Sequence, residues 1–308
     1  MTEIEVHNIT KTYNPGLFKK KVSAVNGVSF EISQGEVFGL IGPNGAGKSS
    51  TIRMLLGLVR PESGHIYYRG EKLGENVALK EIGYLPENPY LYDHLTLREL
   101  LVFCGRVSGM SSREVLRRSQ VLMEKLNIFE SQTRPLKTFS KGMLQRAAIC
   151  FALLHNPSVV IFDEPMSGLD PIGRKLVFDL IMELKKNGKT IFFCSHILND
   201  VERLCDRIGL LHRGRLISQL NKNDLSLALG NSIFLFVEPL SQIQQNEIRA
   251  LGVDICNEAG TTMLAINEDI YFQVNSLLER KQVKVLGSRN SWRTLEDLFL
   301  QLIEGQKI

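Results

Sequence analysis

Eight residues, Gly42-Pro43-Asn44-Gly45-Ala46-Gly47-Lys48-Ser49, fit the pattern Gly-x-x-x-x-Gly-Lys-Ser/Thr. Loops of this pattern turn consecutive backbone N–H groups toward the phosphates of a nucleotide, and their glycines let those groups converge without Cβ clashes. The ammonium of Lys48 can reach the β- and γ-phosphates, and the Ser49 hydroxyl can hold Mg²⁺. The pattern constrains the fold as much as the ligand. Val37–Ile41 reads as a buried strand leading into the loop, and residues Ser50 to Leu58 read as a helix whose N-terminus faces the phosphates. Strand, phosphate loop and helix in that order predict an α/β chain.

With 308 residues there is room for two domains and for a sizeable core. A net charge of +4 is too mild to argue for nucleic acid as a partner. The longest uninterrupted apolar run, Ala147 to Leu154, has eight residues, against about 18 needed to span a bilayer. The first residues lack the basic and apolar regions of a signal peptide. The five cysteines include no Cys-x-x-Cys pair, and four lie in apolar stretches, so they are expected to be small core residues in a reducing cytoplasm. Any membrane role is therefore expected to run through a partner.

Residues 1 to about 220 alternate β-rich runs with helical stretches, the signature of α/β layering. Val159–Phe162 and Thr190–Cys194 join Val37–Ile41 as candidate strands covered on both faces. A helical subdomain is expected over about 95–150, and Ile208–His212, Arg213-Gly214 and Leu216–Gln219 suggest a closing hairpin. A second domain is expected over 221–308. There Ile233–Val237, Val253–Cys256, Met263–Ile266 and Val283–Leu286 read as strands, and Ser241–Ala250 and Ile270–Leu278 as helices. That order is the split β-α-β, or ferredoxin-like, pattern, with Leu295–Ile303 as an added helix. The lysine run at 19–21 reads as a solvated loop.

The second chemical signal is Val159-Val160-Ile161-Phe162-Asp163-Glu164-Pro165. An apolar strand ending in two carboxylates puts Asp163 at the sheet edge where phosphate loops also open, suited to holding Mg²⁺ together with Ser49. Glu164 follows closely enough to orient or deprotonate a water attacking the γ-phosphate. Phe139-Ser140-Lys141-Gly142-Met143 opens a helix that Ser140 can cap, and the same geometry offers N–H groups and a hydroxyl to an anion. A turn, Ser167-Gly168-Leu169-Asp170, and His196 at the end of another apolar strand complete the set.

In order and spacing these residues resemble the ATP-binding subunits of ABC transporters, over about residues 3 to 220, and most of all the single-cassette subunits paired with ABC-2-type exporters. The resemblance implies that Tyr13 stacks on adenine while Gly42 to Ser50, including Ser50 itself, cradle the triphosphate of ATP. It implies that Asp163 supports Mg²⁺, Glu164 is the catalytic base and His196 contacts the γ-phosphate. Ser140 and Gly142 match the loop that binds ATP held by the other protomer, and Asp170 matches the loop linking the two sites. Two departures stand out. Phe139, Lys141 and Met143 replace three of the five residues of the usual Leu-Ser-Gly-Gly-Gln, and Glu87 stands where the family generally has Gln, either side chain offering an oxygen to Mg²⁺. The resemblance further implies pairing with a second ATP-binding subunit, as a homodimer or with a close relative, at the inner face of the cell membrane, driving a separate integral-membrane permease. Both halves of a working site are present in this one chain, which favours the homodimer. Asn88-Pro89-Tyr90-Leu91-Tyr92 is expected to form part of the groove for a cytoplasmic helix of that permease. A soluble ABC ATPase acting on ribosomes or DNA is the alternative. The single cassette, the absence of a coiled-coil insertion or zinc cysteines and the mild charge argue against it.

Overall fold

The computed structural model describes residues 1–14, 21–74, 79–195, 197–221, 232–258, 260–267 and 270–291. The chain divides into two units, Met1–Lys222 and Asn223–Ile308. The lysine loop at 15–20, His196 and the expected helix Leu295–Ile303 lie outside the described residues.

The first unit has two sheets. Strands β1 (Thr2–Tyr13), β2 (Val22–Ser33), β4 (Ser63–Tyr68) and β5 (Glu71–Lys72) form an antiparallel sheet in the order β2-β1-β4-β5. The second sheet contains β3 (Val37–Ile41), β6 (Ile82–Leu85), β7 (Val159–Asp163), β8 (Thr190–Cys194), β9 (Arg207–His212) and β10 (Arg215–Asn221), in the order β10-β9-β3-β8-β7-β6. All its pairs are parallel except the β9–β10 hairpin. β3, β7 and β8 are buried along their whole length, which is why each reads as a continuous apolar run. Arg213 and Gly214 close the hairpin with φ of 47° and 77°, the twist that a two-residue turn between antiparallel strands demands.

Side chains of both sheets interlock in the core, where Phe30 stacks on Phe38 with ring centroids 5.1 Å apart and Phe192 lies beside both. Helix α1 (Lys48–Leu55) adds Ile52, Met54 and Leu55 to this layer. It ends three residues short of the expected Leu58 because Gly57 turns left-handed at φ 67°, and Leu58 points into solvent. The helical region comprises α2 (Leu97–Val107), α3 (Ser112–Lys125) and α4 (Lys141–Leu153). Thr96 and Glu99 form a reciprocal capping box on α2, and Ser111 and Ser140 cap the other two. Helices α5 (Pro171–Lys186) and α6 (Leu198–Leu204) follow β7 and β8.

The second unit is a four-stranded antiparallel sheet with two helices. Strands β11 (Ser232–Val237), β12 (Asp254–Glu258), β13 (Thr261–Asn267) and β14 (Val285–Ser291) take the order β12-β13-β11-β14, with α7 (Gln242–Arg249) and α8 (Tyr271–Arg280) between them. Its own core includes Leu235, Val237, Ile248, Leu264, Ile266, Val274 and Leu278. β14 starts later and runs further than expected, through polar Ser288 to Ser291, because main-chain pairing with β11 holds it without an apolar stripe. Four cysteines are buried and Cys256 is exposed, and burial raises the thiols of Cys150 and Cys205 far above the ordinary range. Among the described residues no helix is long and apolar enough to cross a membrane.

Candidate functional site

Because β3, β6, β7 and β8 run parallel, the segments after them emerge at one sheet edge, the place where ligands of α/β sheets bind. The phosphate loop leaves β3 there and turns into α1. A methyl group on Gly42 would collide with the carbonyl oxygen of Leu211, and one on Gly47, at φ 111°, with that of Ala24. Both positions therefore require glycine, and the reason is close backbone approach from the β9–β10 hairpin and β2. Among the described residues no side chain caps the N-terminus of α1, and the leading amides of such a helix end attract anions.

A cavity of about 620 Å³ opens at this edge, lined by Asn44, Gly45, Ala46, Gly47, Lys48, Ser49, Ser50, Glu87, Asp163 and Glu164, with Val22 and Ala24 on one wall. Lys48 is only 8 % exposed, and its Nζ donates to the carbonyl oxygens of Gly42 at 2.6 Å and Pro43 at 3.4 Å. Gly42 and Pro43 thus form the floor that holds the ammonium rather than the lining itself. The Asp163 carboxyl, 5 % exposed, is pushed up to about 6, first by burial and then by the charges of Glu164 and Glu87. Lys48 and a hydrogen bond from Ser49 act in the opposite direction. Ser49 and Asp163 are therefore neighbours within the same cavity.

The donor set fits Mg²⁺ arriving with a nucleotide. Among the described residues no group of three His, Cys, Asp or Glu could hold an ion unaided. Mg²⁺ characteristically takes one or two carboxylates and completes its shell with phosphate oxygens and water. Glu87 is exposed and joins the same cavity, acting on Asp163 through charge.

Glu164 is held firmly. Its backbone sits in the left-handed region at φ 53°, its N–H donates to the Cys194 carbonyl at 2.9 Å, and Gln145 Nε2 donates to the carbonyls of Glu164 and Pro165 at 3.3 and 3.2 Å. Ser195 Oγ donates to Glu164 Oε2 at 3.4 Å.

The other expected residues that the structure describes do not line this cavity. Tyr13 ends β1 beside Val22 but does not line the cavity; Lys11 Nζ stands 6.0 Å from its ring centre. Ser140 is exposed, its Oγ accepting from the Met143 N–H at 3.3 Å, and Asp170 caps α5 by accepting from the Gly173 N–H at 3.0 Å. Gly142 lies next to the Gly168–Leu169 turn, so Ser140, Gly142 and Asp170 share one surface region outside the cavity. A methyl group at Gly142 would meet only ordinary contacts, 3.5 Å from Leu169 Cδ2, so packing within the chain does not require glycine there. The stem of Lys141 lies across Gly168, at φ 70°. Val22, Ala24, Gln145 and Ser195 were not singled out by the motifs. Only Ser195, a polar residue directly after an apolar strand, carried a readable signal.

A family profile described as ABC transporter matches residues 25–167. The linearmycin resistance ATP-binding protein of Bacillus subtilis is 38 % identical over 311 residues, covering 97 % of this chain and 97 % of that protein. An uncharacterized ABC transporter ATP-binding protein of Synechocystis is 42 % identical over 231 residues, 74 % of this chain, and the match spans 64 % of that relative's own length. Among solved structures, a dimeric ATP-binding cassette in a post-hydrolysis state with ADP and Pi superposes with a TM-score of 0.66 at 25 % identity, covering 71 % of this chain and 98 % of that one.

Proposed function

Because this chain belongs to the ATP-binding subunits of ABC transporters, we propose that it hydrolyses Mg-ATP at the phosphate-loop cavity and that this drives a separate membrane permease. The observation carrying the proposal is that Lys48, Ser49, Asp163 and Glu164 line one cavity at one sheet edge. Phosphoryl transfer needs positioning and charge neutralisation more than covalent help. The loop amides and Lys48 supply donors to the phosphates, Lys48 exchanging its hold on Gly42 and Pro43 for phosphate oxygens. Ser49 and Asp163 are the residues that would hold Mg²⁺, which when bound offsets phosphate charge. Glu164 accepts a proton from the attacking water as general base. His196 is assigned to the γ-phosphate and Tyr13 to adenine on the family pattern alone.

The cavity lacks a donor contributed by Ser140 or Gly142, which sit on the surface elsewhere. In this reading a second copy presents those two residues to the nucleotide, and Asp170 lies beside the seam. The room left at Gly142 supports the assignment, since its own chain gives no reason for the missing side chain. The dimeric ADP- and Pi-bound cassette supports it from outside. The permease would dock where apolar side chains face solvent: Tyr90 is 99 % exposed, and Tyr92 meets Phe103 edge-on at 6.2 Å. The relative named for linearmycin resistance supports export over uptake; the ABC-2 type and a place at the inner face of the cell membrane are assigned on the sequence resemblance alone. The strand order and helix placement of the second unit support a ferredoxin-like accessory domain.

Glu164→Gln tests the core of this reading. It should lower ATP turnover more than about a hundredfold while nucleotide affinity stays within about threefold, and it should accumulate nucleotide-bound dimer. Turnover within about tenfold of wild type would remove Glu164 as the base.

A further inference from the structure

We propose that Ser195 is a positioning residue that aims the Glu164 carboxylate at the attacking water; this rests on the reading of Glu164 as general base. The two side chains are buried together, Ser195 at 2 % and Glu164 at 6 % exposure. Ser195 Oγ lies 3.4 Å from Glu164 Oε2 and accepts the Ile197 N–H at 3.0 Å. A hydroxyl has a single proton to give. With the Ile197 amide supplying a donor to its oxygen, that proton is left to point at the carboxylate.

The rest of the residue is fixed by other means. Cys194 and Gln145 hold the main chain of Glu164 and Pro165, so the backbone is tied to β8 and to α4. Those bonds are made at the peptide groups and do not themselves reach the carboxylate. A general base works only when its oxygen sits within hydrogen-bond reach of the water, and small misplacements are expensive in rate. Ser195 supplies a contact at the carboxylate end, from the strand end that neighbours β7 across the register pair Asp163–Cys194. Catalytic hydrogen bonds tighten as the reacting complex forms, so a contact of 3.4 Å suffices to place Ser195 beside the base.

The experiment is steady-state Mg-ATP hydrolysis by the full chain, with binding of a fluorescent ATP analogue measured in parallel. Ser195→Ala should lower kcat about tenfold, the size of one hydrogen bond to a charged group, with KM and analogue affinity within about twofold. Ser195→Thr, which keeps the hydroxyl, should recover most of that rate. An alanine variant with wild-type kcat overturns the proposal, and so does a threonine variant as slow as alanine while binding the analogue normally. Glu164→Gln measured alongside separates the two layers. If it keeps turnover, the general-base reading falls; if it abolishes turnover while Ser195→Ala is silent, only the role of Ser195 falls.

Discussion

A carboxylate buried at the end of β7 beside two other acids works against folding. The Asp163 carboxyl ionises near pH 6 in the folded chain against an ordinary value of 3.8, so the folded state holds its proton more tightly than the unfolded state does. The cost is absent below about pH 4, grows as pH rises, and is complete above about pH 6. Asp163→Asn removes it. The variant should be more stable than the nucleotide-free wild type by about 3 kcal/mol at pH 7.5, shrinking to about half of that at pH 5, in urea unfolding followed by circular dichroism. On the proposed reading of Asp163 as an ion ligand, the same variant should lose Mg-dependent hydrolysis. Equal stabilisation at both pH values would mean that the Asp163 charge is not the source.

Helix α2 shows the same division between stability and use within one element. Thr96 and Glu99 satisfy its N-terminal amides, and Leu97, Leu100, Leu101 and Cys104 face inward at helical spacing. Phe103 and Val107, one turn apart, are left in solvent, Phe103 touching Tyr92. Phe103 is half exposed and Tyr90 almost wholly so, which limits what either adds to the core. Replacing Tyr90 and Phe103 by Ser should therefore leave folding and ATP affinity intact but lower recovery of the permease at least about fivefold in a mild-detergent pull-down from native membranes. Undiminished recovery would move the docking surface elsewhere.

At the scale of the whole molecule, every residue lining the phosphate-loop cavity comes from the first unit, and each unit has its own apolar cluster. A chain truncated after residue 221 should bind Mg-ATP within about threefold of the full chain, measured by titration calorimetry, and differ in dimerisation or in coupling to the permease. A truncated chain unable to bind ATP would make the second unit part of the catalytic body. The proposed need for a second copy rests on the layout of the first unit: the phosphate loop and Asp163-Glu164 open at one edge, whereas Ser140, Gly142 and Asp170 occupy a different part of the surface.

The phosphate loop, the buried strands Val37–Ile41, Val159–Phe162 and Thr190–Cys194 and the acidic strand end were legible in the linear chain. Each is specified by local chemistry: glycines where backbones crowd, continuous apolar runs where both faces are covered, carboxylates at a strand end. The long antiparallel strands β1 and β2 were less visible, because half of their residues face away from the core and bulges break the alternation. The early stop of α1 at a left-handed glycine was missed for a similar reason, since apolar residues continue past it. No pattern in the chain announces that Gln145 reaches the Glu164 peptide, that Ser195 reaches its carboxylate, or that Tyr13 stands outside the cavity lining. Those facts join segments 19 to 31 residues apart or more. Local sequence selects the elements and equips them with the right chemistry; only the packing of parallel strands brings their ends to one edge, because register and burial are properties of the assembled sheet.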